Sequence, residues 1–240
     1  MTHLFSPPGV CAPERSTYRF FPRVGLFILA TLLYILSGVP GILLMPTVMQ
    51  SYLVFVIISG AAALSLSILF AIQYRSGLAA QLRGRTFIQP LKMGALSLIA
   101  LYALCGVIIM FISLPQEAFM NELLTGLDTR QTLIKVASLI VLPPILEELY
   151  FRHYLLRLFP YENSQLWKWI AVIATSAIFA GFHTQYDNWT SIALLFACGC
   201  VLAIARIASG AVLVPILLHM LLEVIALSAD WAFKLADLYG

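Results

Sequence analysis

Charged residues are scarce in this sequence: Asp, Glu, Lys and Arg together make up 10% of its 240 residues. Soluble domains usually carry about 25% charged residues, so a soluble globular protein is excluded. Hydrophobic residues make up 61% of the chain, and its mean hydropathy is +0.95. We therefore predict an all-α fold, a polytopic transmembrane helix bundle of about seven or eight spans.

Several other features are missing as well. No cleavable signal peptide is expected, because prolines precede the first hydrophobic span and that span is too long for a signal core. The four cysteines are scattered and three fall inside hydrophobic spans, which excludes a disulfide framework or a zinc knuckle. The H-E-x-x-H signature of soluble zinc proteases is absent. No nucleic-acid partner is expected.

Hydrophobic stretches divide the chain into a short tail and one long membrane domain. Residues 1–22 are predicted to be an N-terminal cytoplasmic tail, and residues 23–240 a single transmembrane domain. The predicted spans are residues 24–45, 52–72, 93–114, 128–157, 167–186, 191–207 and 212–229. The last residues, 230–240, mix aromatic and charged side chains, and this pattern predicts a short interfacial helix.

The fourth predicted span has distinctive local signals. Asp128 or Thr129 is a suitable N-cap, and Pro143 and Pro144 lie in the middle of the span. Proline removes a backbone hydrogen bond and kinks a helix. In lipid such a break must be satisfied by neighbouring groups, so we expect this helix to be buried in the bundle.

Positive charge indicates the orientation in the membrane. Arg and Lys cluster before the first span, between the second and third spans, and after the fourth, whereas the loop at residues 115–128 is acidic. The positive-inside rule then places the N-terminus in the cytoplasm. We predict an integral protein of a bacterial inner membrane.

Two adjacent acids directly follow an apolar run inside the fourth predicted span. Glu148 and Arg152 are four residues apart, so they share a helix face and are expected to form an ion pair. Glu147 is turned about 100° from Glu148 and is left without that partner. Charges at membrane depth cost at least about 2.5 kcal/mol each on insertion scales, which makes this stretch a functional-site hypothesis.

Two further spans each contribute a histidine. His183 lies near the end of the fifth span, and His219 lies within the seventh, with Glu223 four residues later on the same face. Glu223 is expected to orient the ring of His219 or to accept its N–H. Estimated depths along the spans are compatible, so these side chains can converge with Glu147 on one polar cavity. Such a constellation suits a hydrolase, a metal site or a proton path.

These residues form three motifs in order: Glu147-Glu148-x-x-x-Arg152, Phe179-x-x-x-His183 and His219-x-x-x-Glu223. They resemble the motifs of the CPBP family, the type II CAAX prenyl endopeptidases and their bacterial relatives, often called intramembrane metalloproteases. The resemblance covers about residues 130–228. It implies an all-helical intramembrane fold, a membrane setting and a peptidase that acts on peptides or lipidated proteins.

The resemblance also implies roles for the residues. Glu147 would activate the attacking water, His183 would help to hold it, and His219 would stabilise the oxyanion with assistance from Glu223. Glu148 would support these catalytic residues, with Arg152 and Phe179 as structural support. The third motif usually ends in Asn or Asp, whereas an ionised Glu223 cannot donate a hydrogen bond.

Whether a metal takes part is open at this stage. Glu147, His183 and His219 would be the ligands of a zinc ion with one open position. A water activated by Glu147 without metal fits the same residues, and we favour it.

Two other function classes use the same buried acids and histidines. The first is a non-catalytic membrane protein of the same fold, with a bacteriocin-immunity or scaffold role. The second is an ion-coupled transporter, although the sequence lacks the inverted repeat that many transporters show.

Overall fold

The computed structural model describes residues 18–39, 43, 51–112 and 114–236, and this part of the chain is helical without strands. The described helices are α1 (Phe20–Ser37), α2 (Ser51–Gln73), α3 (Leu78–Arg83), α4 (Ile88–Ile112), α5 (Ala118–Glu122), α6 (Thr129–Glu147), α7 (Gln165–Gly181), α8 (Trp189–Ser209) and α9 (Leu213–Leu235). A π-helical segment, Glu148–Leu155, and a 3-10 turn, Leu156–Leu158, prolong α6. The predicted all-helical class is confirmed for these residues.

Five of the described helices, α1, α2, α4, α8 and α9, are long and apolar enough to cross a membrane. Helix α7 is also apolar but has only 17 residues. Helix α6 and its extension carry two prolines and a cluster of charges, which lower their hydropathy. The predicted count of seven or eight spans is therefore not confirmed.

Both ends of the predicted membrane domain differ from the sequence-based boundaries. Helix α1 already begins at Phe20, and residues 1–17 of the predicted tail lie outside the described residues. The same holds for the end of the first predicted span beyond residue 39, apart from residue 43. At the other end, α9 runs without a break to Leu235. Residues 230–235, where the sequence predicted a short interfacial helix, continue α9 instead. No proline or glycine interrupts α9 there.

Helix α6 begins with the predicted cap. The Asp128 side chain accepts a hydrogen bond from the backbone N–H of Gln131 at 2.8 Å. In return the Gln131 side chain accepts one from the backbone N–H of Asp128 at 3.1 Å. This reciprocal capping box satisfies two N–H groups that a helix otherwise leaves unpaired.

The double proline lies inside α6, shortly before the two acids. Pro143 and Pro144 both have helical conformation, and the backbone changes to π-helical spacing at Glu148. Pro144 and the whole segment Glu148–Leu155 are buried, as expected for a helix whose backbone is interrupted in a membrane. π-Helical turns are rare and frequently occur at functional sites.

Small residues let the surrounding helices approach closely. A Cβ atom on Gly94 of α4 would overlap with the Leu218 side chain on α9. A Cβ atom on Gly199 of α8 would lie 3.1 Å from Cβ of Ser176 on α7. Such close backbone contacts between membrane helices favour van der Waals packing. The packing encloses the π-helical segment between α1, α2, α7, α8 and α9.

Candidate active site

The two adjacent acids occupy different environments. Glu147 ends α6 and its side chain is 21% exposed, whereas Glu148 begins the π-helical segment and is fully buried. Oε2 of Glu148 lies 3.4 Å from Nε of Arg152, which is also fully buried. The predicted ion pair is confirmed. It supplies the cation that a buried carboxylate requires.

The Arg152 side chain is held by two further contacts. One terminal nitrogen donates a hydrogen bond to the carbonyl of Gly199 at 3.3 Å. The guanidinium carbon lies 4.3 Å from the ring centre of Phe179, a distance typical of a cation–π interaction. Phe179 thus packs against the Arg152 guanidinium, and its role as structural support stays a prediction. Arg152 links the π-helical segment to α7 and α8.

Glu148 also binds His219, a contact that the sequence did not predict. Nδ1 of His219 donates a hydrogen bond to Oε1 of Glu148 at 2.8 Å, and the His219 side chain is 2% exposed. Glu223 instead lies on the other edge of the ring, with Oε1 3.7 Å from Nε2, too far for a hydrogen bond. That Glu223 orients the ring stays a prediction. Glu148, in the π-helical segment, holds the ring through Nδ1.

His183 follows the end of α7 and has a defined tautomer. Its Nδ1 lies 2.8 Å from the carbonyl oxygen of Phe179, which can only accept, so Nδ1 carries a proton. In the neutral ring Nε2 is then an acceptor. The Phe179 ring packs against both histidines, with ring centres 4.6 Å from His183 and 5.9 Å from His219.

The two histidine rings meet at one oxygen atom of Glu147. Oε2 of Glu147 lies 4.0 Å from Nε2 of His183 and 3.9 Å from Nε2 of His219. This oxygen is shielded from solvent and makes no hydrogen bond with any described residue. The distances are too long for direct hydrogen bonds. They suit a water molecule about 2.8 Å from each atom, which would be a usable nucleophile beside a carboxylate base.

Exposure divides the site into two layers. Glu147, His183 and Glu223 are accessible, with side chains 21%, 16% and 27% exposed. Glu148 and Arg152 lie fully buried behind them. The accessible groups can therefore meet a ligand, while the buried pair holds the backbone and the His219 ring in position.

The predicted zinc ligands do not have metal-binding geometry. Three ligands at zinc bond lengths of about 2.0–2.2 Å lie about 3.3 Å from one another in a tetrahedral site. The separations around Glu147 Oε2 are 3.9 and 4.0 Å. Within the described ranges, no group of three His, Cys, Asp or Glu side chains is arranged to hold a metal ion. The zinc site stays a prediction.

Two neighbouring features were not recognised from the sequence. An apolar cavity of about 140 Å³ lies between α4, α8 and α9. Tyr186 lines it and also stacks on His183, with ring planes 16° apart. His153 is fully buried and its Nε2 lies 3.1 Å from Oε1 of Gln73. Neither feature has a local sequence signal, because both depend on which helices become neighbours.

The comparisons with known proteins match the part of the chain that contains the candidate site. Residues 129–225 match the family model described as type II CAAX prenyl endopeptidase Rce1-like. A curated relative from Escherichia coli, described as an uncharacterized 24.3 kDa protein, is 34% identical over 110 residues. This match covers 45% of the chain and 50% of the relative, so the chain spans about half the length of the curated protein. No solved structure matches the chain.

The matched region contains every residue of the predicted site and ends shortly after Glu223. The family is a protease family, and its membrane character agrees with the five apolar helices. The chain is thus an integral membrane protein. Residues 129–225 are thus similar to the family described as type II CAAX prenyl endopeptidase Rce1-like.

Proposed function

We propose that the protein is an intramembrane endopeptidase in which Glu147 activates a water molecule. One observation carries the proposal. Oε2 of Glu147 lies within 4.0 Å of two histidine Nε2 atoms and has no hydrogen-bond partner among the described residues. The Glu147 side chain is partly exposed, whereas its Oε2 atom is shielded and makes no hydrogen bond. Such a carboxylate is suited to take a proton from water.

In the first step, water bound between Glu147 and His183 attacks the carbonyl carbon of the peptide bond. Nε2 of His183 accepts one hydrogen bond from this water, because its Nδ1 proton is engaged by Phe179. Glu147 removes the other proton as the new C–O bond forms. The carbonyl oxygen becomes an oxyanion, and a protonated His219 donates to it from Nε2. Donors fixed in place before the reaction stabilise such charge effectively.

In the second step, the C–N bond breaks and Glu147 passes its proton to the departing amine. Glu148 accepts a hydrogen bond from Nδ1 of His219 at 2.8 Å and so fixes the ring, while Arg152 forms an ion pair with Glu148. Glu223, 3.7 Å from Nε2, stabilises the charged form of His219 instead of donating to the oxyanion.

The substrates are peptides or lipidated proteins in or at the membrane, including prenylated-type chains. The apolar cavity that begins at Tyr186 would accept an apolar group of such a substrate. The bilayer is the second partner. We propose a bacterial inner membrane as its location, with the N-terminus in the cytoplasm, since basic residues cluster before the first span and the positive-inside rule favours that orientation.

A cleavage assay with a matched control tests the proposal. The full-length protein in detergent is incubated with a membrane-associated, internally quenched lipopeptide. Glu147→Gln should lower the rate at least about 100-fold, the range of a lost general base. Glu122→Gln, which changes an exposed carboxylate at the end of α5, should leave the rate unchanged. Thermal unfolding midpoints within a few degrees of each other would show that both variants fold.

The same preparation separates the alternatives. Equal cleavage by wild type and Glu147→Gln would refute the proposed role of Glu147. A folded wild type that cleaves nothing, with a cellular phenotype unaffected by Glu147→Gln, would favour the non-catalytic protein. Solute uptake into proteoliposomes that requires Glu147 would favour the transporter.

A further inference from the structure

Unlike Arg152, which pairs with Glu148, a second buried arginine has no carboxylate within ion-pair distance among the described residues. Arg206 lies in the last turn of α8 and is 5% exposed. Its Nε atom is completely shielded and makes no hydrogen bond with any described residue. Arg152 also has shielded nitrogens without a hydrogen bond, but Glu148 compensates its charge, and Gly199 and Phe179 contact its guanidinium.

The surroundings of Arg206 are positively charged. Arg157 and His153 lie within electrostatic range, and Arg23 donates to the carbonyl of Arg157 at 2.9 Å. One nearby carboxylate, Glu162, lies 3.7 Å from Arg23, and its side chain is 43% exposed. We call Arg23, Arg157 and Arg206 the arginine cluster. Its three cations face a single carboxylate among the described residues.

Two tyrosines add polar groups to the arginine cluster. Tyr74 accepts a hydrogen bond from Arg157, and Tyr161 lies within electrostatic range of Arg206. Buried cations are destabilising by several kcal/mol unless an opposite charge compensates them. An unsatisfied buried polar group in a native structure therefore requires an explanation. A bound anion would compensate the charge of the arginine cluster.

The position of the cluster suggests which anion. Helix α1 begins beside Arg23, α8 ends beside Arg206, and Tyr74 directly follows the end of α2. The cluster thus lies at one end of the helix bundle, the part of a membrane protein that would be nearest to the phosphates of lipid headgroups. Guanidinium groups bind phosphate oxygens through two parallel hydrogen bonds, and basic pockets between membrane helices bind anionic headgroups.

We propose that Arg206, with Arg157, binds the phosphate group of an anionic ligand, of which a lipid headgroup is the source nearest to the site. Glu147 lies before the first residue of the π-helical segment, whereas Arg157 lies beyond its last residue. The phosphate site is therefore separate from Glu147 and does not depend on peptidase activity. Phosphate binding would connect α8, which carries Arg206, with the 3-10 turn, which carries Arg157.

Binding to the full-length protein in lipid-free detergent tests the proposal. The protein is titrated with phosphatidylglycerol, with diacylglycerol of the same acyl chains, and with inorganic phosphate. Tryptophan fluorescence follows the thermal unfolding midpoint. We expect phosphatidylglycerol to raise the midpoint, and diacylglycerol, which lacks the phosphate, to have no such effect. Stabilisation by inorganic phosphate alone would support the site and assign it to a soluble anion.

Two arginine variants make the test specific. Arg206→Gln should weaken the binding of phosphatidylglycerol about tenfold, the effect of losing hydrogen bonds to a charged group. This variant should fold, because it removes a buried charge that lacks a compensating partner. Arg75→Gln changes an exposed arginine beside Tyr74 and should bind like wild type. Equal binding by wild type and Arg206→Gln, or equal stabilisation by phosphatidylglycerol and diacylglycerol, would overturn the proposal.

Discussion

The buried pair of Glu148 and Arg152 allows a quantitative test of what holds the site together. Both side chains are fully buried, and Arg152 is the only Arg or Lys in contact with Glu148 among the described residues. Arg152→Met keeps most of the side-chain volume but deprives a buried carboxylate of its permanent cation. Removing one partner of such a pair costs about 3–5 kcal/mol. The lost contact with the Phe179 ring adds about 0.5–2 kcal/mol.

A change of this size is a large part of a typical folding free energy of about 5–15 kcal/mol. We therefore expect Arg152→Met to lower the free energy of unfolding strongly. Glu148→Gln should also be costly, because it strands the Arg152 cation. The double variant removes both charges, and the glutamine introduced at position 148 can still accept the Nδ1 proton of His219. It should be more stable than either single variant.

Unfolding in mixed detergent micelles, followed by tryptophan fluorescence, measures the four free energies of this double-mutant cycle. Lys234→Met is the matched control, because Lys234 and Asp230 form an ion pair with the same four-residue spacing, 3.0 Å apart, near the surface. Lys234→Met should lower the free energy of unfolding by less than about 1 kcal/mol. If the two single costs simply add in the double variant, the reasoning about a buried compensated charge is refuted.

Three further outcomes are expected. Gly94→Ala should cost about 1–3 kcal/mol in unfolding free energy, since its Cβ would overlap with the buried Leu218 side chain; an unchanged unfolding midpoint would contradict this close packing. Glu223→Asn should retain peptidase activity in the lipopeptide assay, because an amide can donate to the oxyanion beside His219; a loss as large as that of Glu147→Gln would give Glu223 an essential role. Dialysis against a chelator should leave cleavage unchanged if water is activated without metal, whereas a loss restored by Zn²⁺ would establish the zinc site.

Local spacing was sufficient to predict the parts of the site that lie on one helix. The ion pair of Glu148 and Arg152 follows from a separation of four residues, and so does the proximity of Glu223 to His219. The N-cap at Asp128 could be read from local sequence in the same way. These predictions succeeded because backbone geometry within a helix is nearly independent of its surroundings.

Contacts between helices could not be obtained from spacing. The hydrogen bond from His219 to Glu148 joins residues 71 positions apart, so spacing within one helix could not predict it. His153 directly follows Arg152 in the sequence, and spacing alone does not show that it is fully buried. Its burial results from the position of the π-helical segment among neighbouring helices, which buries all eight of its residues.

The amino-acid sequence by itself determined that the chain is a helical membrane protein with its scarce charges gathered in three motifs. A low charge content and long apolar stretches admit few other folds. Only the tertiary structure decided that Glu147 Oε2 lies between two Nε2 atoms without a hydrogen bond, while Glu148 is shared by Arg152 and His219. It also left the Nε atom of Arg206 shielded and without a hydrogen bond among the described residues. The physical reason is that helix periodicity sets which face a side chain occupies, whereas helix packing sets what that face meets.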